Sequence, residues 1–202
     1  MKLLLMFLMV LATHATSAGA APDAPLPGNS VYQSPARLMD SKSRQFAWAS
    51  KRGQVQIVSM FYTSCKFVCP MLIEGGKVID QQLTAEERAH LGVTLISLDP
   101  KRDTPAALAR TARERNVDSP RWTLARPEPQ DVRSIAGLLG VRYRALADGE
   151  FNHTTVLVLL DPEGRIVART ESIGGVPDAL FLAAVKRTLA NAARADAKPR
   201  SG

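Results

Sequence analysis

An apolar run that reads as a strand, Gln54 to Phe61, leads into Tyr62-Thr63-Ser64-Cys65-Lys66-Phe67-Val68-Cys69-Pro70 and then into a helical pattern. This order constrains the fold more than any other stretch. Pro70 suits the first turn of a helix, where its missing N–H is not needed, so the two cysteines of the chain fall at a helix N-terminus. The positive end of the helix dipole and its unsatisfied N–H groups lower a thiol pKa there, and Lys66 adds to the effect. Both thiols are expected to be nucleophilic or ready to bind metal. A chain of 202 residues with only this pair has a local disulfide, a redox couple or two soft metal ligands. A disulfide closing so short a loop would constrain the unfolded chain little. Thioredoxin-type exchange uses C-x-x-C, one residue shorter than Cys65-x-x-x-Cys69, and a metal site needs at least a third ligand.

The strand before the loop carries apolar residues on both faces, as a central strand does. Leu72, Gly76, Ile79 and Leu83 recur at helical spacing, giving a helix from about 70 to 82. The Gly75-Gly76 pair in it reads as a close approach of backbone to a neighbouring strand. Val93 to Leu98 is a second buried strand, ending at Asp99-Pro100. Thr104 and Pro105 then serve as N-cap and first residue of a helix reaching about Arg115. Trp122 to Ala125 is a short strand, and Val132, Ile135, Ala136 and Leu139 mark a helix stopped by Gly140. Thr154 to Asp161 turns through Pro162-Glu163-Gly164 into Arg165 to Thr170 as a hairpin, and Phe181 to Leu189 is the last helix. Upstream, Ala36 to Asp40 and Gln45 to Ala49 pair across Ser41-Lys42-Ser43, a turn without the favoured Asn-Gly. Alternating strands and helices followed by a hairpin predict an α/β domain over residues 31–190: a mixed central sheet, its first βαβ unit parallel, with helices on both faces, in a thioredoxin-like fold.

The flanks read differently. Met1-Lys2, the apolar run Leu3 to Leu11 and the small residues to Ala20 form a secretory signal peptide, residues 1–20. The run is too short to span a bilayer comfortably, and no cysteine near the cleavage point offers a lipid acceptor. Residues 21–30, with three prolines and a glycine, are an extended leader, and 191–202 a disordered polar tail. Losing Lys2 lowers the net charge from +7 to +6. Export excludes nucleic acid as a partner, and the scattered basic residues read as solvated surface, with an acidic protein partner as the alternative.

His14 leaves with the signal, so a metal would have to use His90 or His153. His90, in Glu86-Glu87-Arg88-Ala89-His90, reads as surface. His153 precedes the strand Thr154 to Leu160 in a loop that a thioredoxin-like sheet can bring to the cysteine helix. From spacing alone, a solvated histidine and a ligand are equal readings of it. Two thiolates and an imidazole suit Cu(I), or Cu(II) with a further ligand. Zinc could use Cys₂His with water, although no fourth ligand or catalytic base is evident. No nucleophile elbow, P-loop or G-x-G-x-x-G is present.

Three stretches together resemble the Sco/SenC family of copper chaperones, exported thioredoxin-like proteins that assist assembly of the copper A centre of cytochrome oxidase. They are Phe61 to Pro70, Ser97-Leu98-Asp99-Pro100-Lys101-Arg102-Asp103-Thr104-Pro105, and Asn152-His153-Thr154-Thr155. The resemblance implies a monomeric periplasmic metallochaperone that binds one copper through Cys65, Cys69 and His153. Its partner would be the copper A domain of cytochrome c oxidase subunit II or another cuproenzyme, with a second periplasmic copper chaperone as a further partner. Asp99 would be an acidic neighbour of the site, or simply end its strand in a turn, while Asp103 with Thr104 reads as a capping sequence. The same cysteines could instead serve a thiol-disulfide reductase or a redox sensor rather than a conventional enzyme. Two departures stand out: many members have proline where this chain has Lys66, and many keep a membrane anchor where this segment looks cleavable.

Overall fold

A computed structural model describes residues 25–65 and 68–197. The expected signal peptide, the start of the leader, Lys66 and the last five residues lie outside the described residues. In chain order come β1 (Arg37–Asp40), β2 (Gln45–Ala47), β3 (Val55–Phe61), α1 (Val68–Gln81) and the short α2 (Ala85–Ala89). Then follow β4 (Leu91–Ser97), α3 (Pro105–Glu114), β5 (Trp122–Pro127), α4 (Val132–Leu139), β6 (Tyr143–Ala145) and β7 (Phe151–His153). The hairpin strands β8 (Leu157–Leu160) and β9 (Ile166–Thr170) precede α5 (Ala179–Ala197). Seven strands form one sheet in the order β2-β1-β5-β4-β3-β8-β9, while β6 and β7 pair separately. The large sheet is mixed, parallel through β3, β4 and β5 and antiparallel outside them. Helices cover both faces, giving the thioredoxin-like arrangement expected.

Every residue of β3 and β4 is buried, which is why both carry apolar residues on both faces. Their parallel register pairs Val55 with Leu91 and Phe61 with Ser97, so both chains leave the sheet side by side at the same end. Close packing sets α1 over the sheet. A methyl group on Gly76 would stand 2.9 Å from the Trp122 ring, and one on Gly75 would stand 3.3 Å from the Gly174 backbone nitrogen. The close approach read from Gly75-Gly76 is therefore real, but its partners are a tryptophan ring and a loop rather than strand backbone.

The first hairpin forms without Asn-Gly because Asp40 supplies the turn. Its Oδ1 accepts from the backbone N–H groups of Lys42 and Arg44 at 2.8 and 2.9 Å, while Ser43 takes a positive φ of 61°. Asp161 repeats the device at the second hairpin, accepting from Glu163 and Arg165; such aspartate turns substitute for turn-specific dipeptides. Thr104 caps α3 by accepting from Ala107, and Gly140 ends α4 at a φ of 66°. At the other end of the sheet the Ser30 hydroxyl donates to the Glu163 carbonyl and Val31 N–H to that of Gly164, pinning the entering chain to the β8–β9 turn.

Three expectations are corrected. The last helix continues to Ala197 instead of fraying at 191, because Ala-Asn-Ala-Ala-Arg-Ala-Asp-Ala favours helix strongly enough to extend it. The strand expected from Thr154 begins at Leu157, and His153 belongs to β7 rather than to a loop. The segment around His90, by contrast, is the surface helix end its polar residues suggest: it closes α2, started by a capping box in which Thr84 and Glu87 satisfy each other's backbone N–H.

At the end of β3 and β4 that releases the cysteine loop, Asp103 is completely buried. It accepts from the Thr63 N–H at 3.1 and 3.2 Å, from the Thr63 hydroxyl at 2.5 Å and from the Ser97 hydroxyl at 2.5 Å. Burial holds its carboxyl above the ordinary aspartate value, outweighing these hydrogen bonds. The folded chain thus binds this proton more tightly than the unfolded chain does. The stability this provides is complete below the unfolded value of 3.8 and is lost as pH rises through the folded value.

Asp103→Ala leaves three donors unpaired and should cost at least about 1–3 kcal/mol in urea unfolding at neutral pH; an unchanged midpoint would refute the clamp. Asp103→Asn lacks the titration, so wild-type stability relative to it should fall as pH rises from below 3.8. A constant difference would place the carboxyl in water. Gly76→Ala should destabilise by about 1–3 kcal/mol through overpacking, despite alanine's helix propensity, with a change in Trp fluorescence. A raised melting temperature would show that the Trp122 ring yields freely.

Candidate metal centre

After Phe61 the chain leaves the sheet through Tyr62 and Thr63, the latter held by Asp103, and reaches Cys65. Helix α1 begins at Val68, so Cys69 and Pro70 lie in its first turn, as the sequence implied. The Cys69 N–H, one of the donors a helix start leaves unpaired, donates to Cys65 Sγ at 3.4 Å. Neither cysteine is in a disulfide; Cys65 is half-buried and Cys69 buried. The Cys69 thiol is pushed well up from its ordinary pKa, first by its hydrogen bond with Cys65 and then by burial. The expectation that the helix start activates both thiols alike therefore fails for Cys69: contact with its partner sulfur and desolvation outweigh the helix dipole. A cavity of about 30 Å³ touches both cysteines and reaches Thr111, Glu114 and Arg115 of the α3 end. It has room for about one water-sized guest.

His153 stands opposite Tyr143 in the β6–β7 hairpin. Its Nδ1 lies 3.1 Å from the Thr154 carbonyl oxygen. A carbonyl can only accept, so this bond puts the ring proton on Nδ1 and leaves the Nε2 lone pair for another partner, the tautomer a metal ligand needs. The half-buried ring lines a shallow surface with Arg142, Arg144 and Asn152.

Tyr62 stands between the cysteine loop and this hairpin. Its ring packs edge-on against Phe151 and His153, with centroids 5.2 and 5.8 Å away. Its hydroxyl donates to Glu150 Oε2 at 2.9 Å and also meets the Cys65 thiol. Burial, then the Glu150 carboxylate, raise the phenol pKa, so the group remains a donor. Cys65 and Cys69 are thus assembled, with His153 across an aromatic ring from them. Among the described residues no three His, Cys, Asp or Glu side chains lie close enough together to hold an ion.

The second motif supports both halves. Asp99 is buried and paired with Arg102, whose guanidinium also donates to the Gly149 carbonyl in the β6–β7 turn. Its place as an acidic neighbour therefore becomes a tie between the end of β4 and the histidine hairpin. Asp103 does more than accompany the Thr104 cap. His90 is exposed at the end of α2, as read. Tyr62 and Glu150 were not singled out from sequence, because an aromatic before a loop and an acid in a polar turn have no local signature. Ser97 left a faint one, a polar residue ending β4, whereas Asp103, six residues on, lies among other polar residues.

The description SCO1/SenC belongs to the family whose pattern matches residues 25–189. A Stutzerimonas stutzeri protein whose name proposes copper binding is 34% identical over 71 residues, 35% of each chain. The mitochondrial SCO2 homolog of Bos taurus is 28% identical over 140 residues, 66% of this chain and 52% of that one. The chain thus spans about a third of the first relative and about half of the second. The Bradyrhizobium japonicum ScoI structure, solved with copper bound, aligns with a TM-score of 0.62 at 20% identity, covering 80% of this chain and 97% of that one. With one family pattern running unbroken through the cysteine loop, the Asp103 clamp and the His153 hairpin into α5, the chain belongs to the SCO1/SenC family.

Proposed function

We propose that this chain is an exported copper metallochaperone of the periplasm. Cys65, Cys69 and His153 hold one copper ion as cargo, which passes by ligand exchange to the copper A site of cytochrome c oxidase subunit II or a related cuproenzyme. The observation that carries the reading is the pairing of two cysteines outside any disulfide at a helix start with an imidazole whose Nδ1 bond leaves the Nε2 lone pair for a ligand, on a hairpin tied to the same loop. The donor set fits copper: thiolates are soft ligands suited to Cu(I), and an imidazole extends the set toward Cu(II). Copper in the Bradyrhizobium japonicum ScoI relative points the same way. Half-buried Cys65 offers the first sulfur to an incoming ion or to an acceptor's ligand, while buried Cys69 must give up its proton as the ion is captured. Among the described residues no helix is long and apolar enough to cross a membrane.

One observation favours a second reading, thiol-disulfide reduction: an accessible thiol stands in contact with a buried, protonated one. Cys65 as thiolate would attack a target disulfide, forming a mixed disulfide and expelling one target thiolate. Cys69 would then lose its proton and attack the Cys65 sulfur, releasing the second target thiolate. The chain is left with a Cys65–Cys69 disulfide and the target with two electrons and, after protonation, two thiols.

Cu(I) titration of the reduced protein should give one site that tightens as pH rises, because its thiols release protons on binding. His153→Ala should weaken it at least about tenfold, since losing even the partners of metal ligands costs about 10–100-fold. Wild-type affinity in His153→Ala would sink the three-ligand site. If that variant also reduced a disulfide-bonded copper A domain at the wild-type rate, the reductase reading would replace the chaperone.

A further inference from the structure

The β6–β7 hairpin that carries His153 is a two-stranded sheet of its own. Its strand residues are exposed or half-buried, and isolated two-stranded hairpins are marginal in water. Its pose therefore depends on what ties it to the domain. One tie is the Arg102 guanidinium, which reaches Gly149 in the turn. Another, besides the packing of Tyr143 and Phe151 against the core, is Tyr62, whose hydroxyl also meets Cys65.

Tyr62 is rigidly placed. It directly follows the last residue of β3, is 4% exposed, and sits three positions before Cys65 and next to the Asp103-clamped Thr63. Its hydroxyl is the meeting point of the hairpin's backbone and side chains: Glu150 Oε2 lies at 2.9 Å, and the Phe151 N–H and carbonyl each at 3.5 Å. Glu150 in turn is three positions before His153 in the strand direction. A displacement of the phenol would therefore move the imidazole relative to the sulfurs. A phenylalanine would keep the ring contacts with Phe151 and His153 but leave the Glu150 carboxylate without the phenol donor.

We propose that Tyr62 is a positioning residue. Through Glu150 its hydroxyl docks the His153 hairpin onto the cysteine loop and sets the reach between His153 and Cys65. The docking is a property of the metal-free chain; its consequence for affinity rests on the copper site proposed above.

Hydrogen exchange on the metal-free full chain tests the docking directly. In Tyr62→Phe and in Glu150→Ala, amides of 143–153 should exchange several-fold faster than in wild type, with α4 unchanged. Glu150→Gln, which still accepts from the phenol, should restore slow exchange. Copper titration then tests the consequence. Tyr62→Phe should weaken binding about tenfold, the order expected for loss of a hydrogen bond to a charged acceptor, and add nothing in a His153→Ala background. The Cu(II) electron paramagnetic resonance spectrum of Tyr62→Phe should shift toward that of His153→Ala. Unchanged hairpin exchange in Tyr62→Phe would overturn the proposal, as would an equal loss of affinity with and without His153. Faster exchange combined with wild-type affinity in His153→Ala would uphold the docking and overturn the ligand set instead.

Discussion

A carboxylate sealed from water, bound by a backbone N–H and two hydroxyls, holds the working end of this domain together. Asp103 accepts from a residue that leaves β3 and a residue that ends β4, so the two chain exits are bound to each other rather than merely adjacent. The parallel register brings Phe61 and Ser97 level, and the clamp turns that coincidence of height into a fixed platform. Burying a carboxylate is costly and is tolerated only when its oxygens are occupied. The donors are a backbone N–H and two short hydroxyl side chains, all with little freedom to lose. The cysteine loop inherits this rigidity through Thr63, two residues before Cys65.

From that platform the site divides its tasks among neighbours of one residue type. Cys65 is half-buried and Cys69 buried, so the two sulfurs, alike in sequence, differ in access, and contact with Cys65 and burial push the Cys69 thiol up. The two aspartates of the second motif diverge in the same way. Asp103 binds inward to the cysteine loop, and Asp99 binds outward through Arg102 to the histidine hairpin. A nine-residue stretch thereby touches both the cysteine loop and the histidine hairpin.

Much of this could be read from the residues. Strands β3 and β4 announce themselves because burial on both faces puts apolar residues on both, and α3 because Thr104 and Pro105 are local start signals. The three motifs that place Cys65, Cys69 and His153 also stand in the sequence. The β6–β7 hairpin does not, because Tyr143–Ala145 and Phe151–His153 are three residues each with none fully buried, too short to show an alternation. Nor could the protonation of Cys69 be foreseen: the helix dipole is a sequence-local effect, whereas burial and the facing sulfur belong to the tertiary fold. Tyr62 and Glu150 are 88 positions apart, and no pattern within one segment can report a bond of that span.

The pinning of Ser30 and Val31 to the β8–β9 turn bears on orientation. Because β8 runs antiparallel to β3 with Leu160 beside Gln56, that turn lies where β3 begins, whereas the cysteines lie beyond where β3 ends. The polypeptide enters the domain at one pole and presents its thiols at the other.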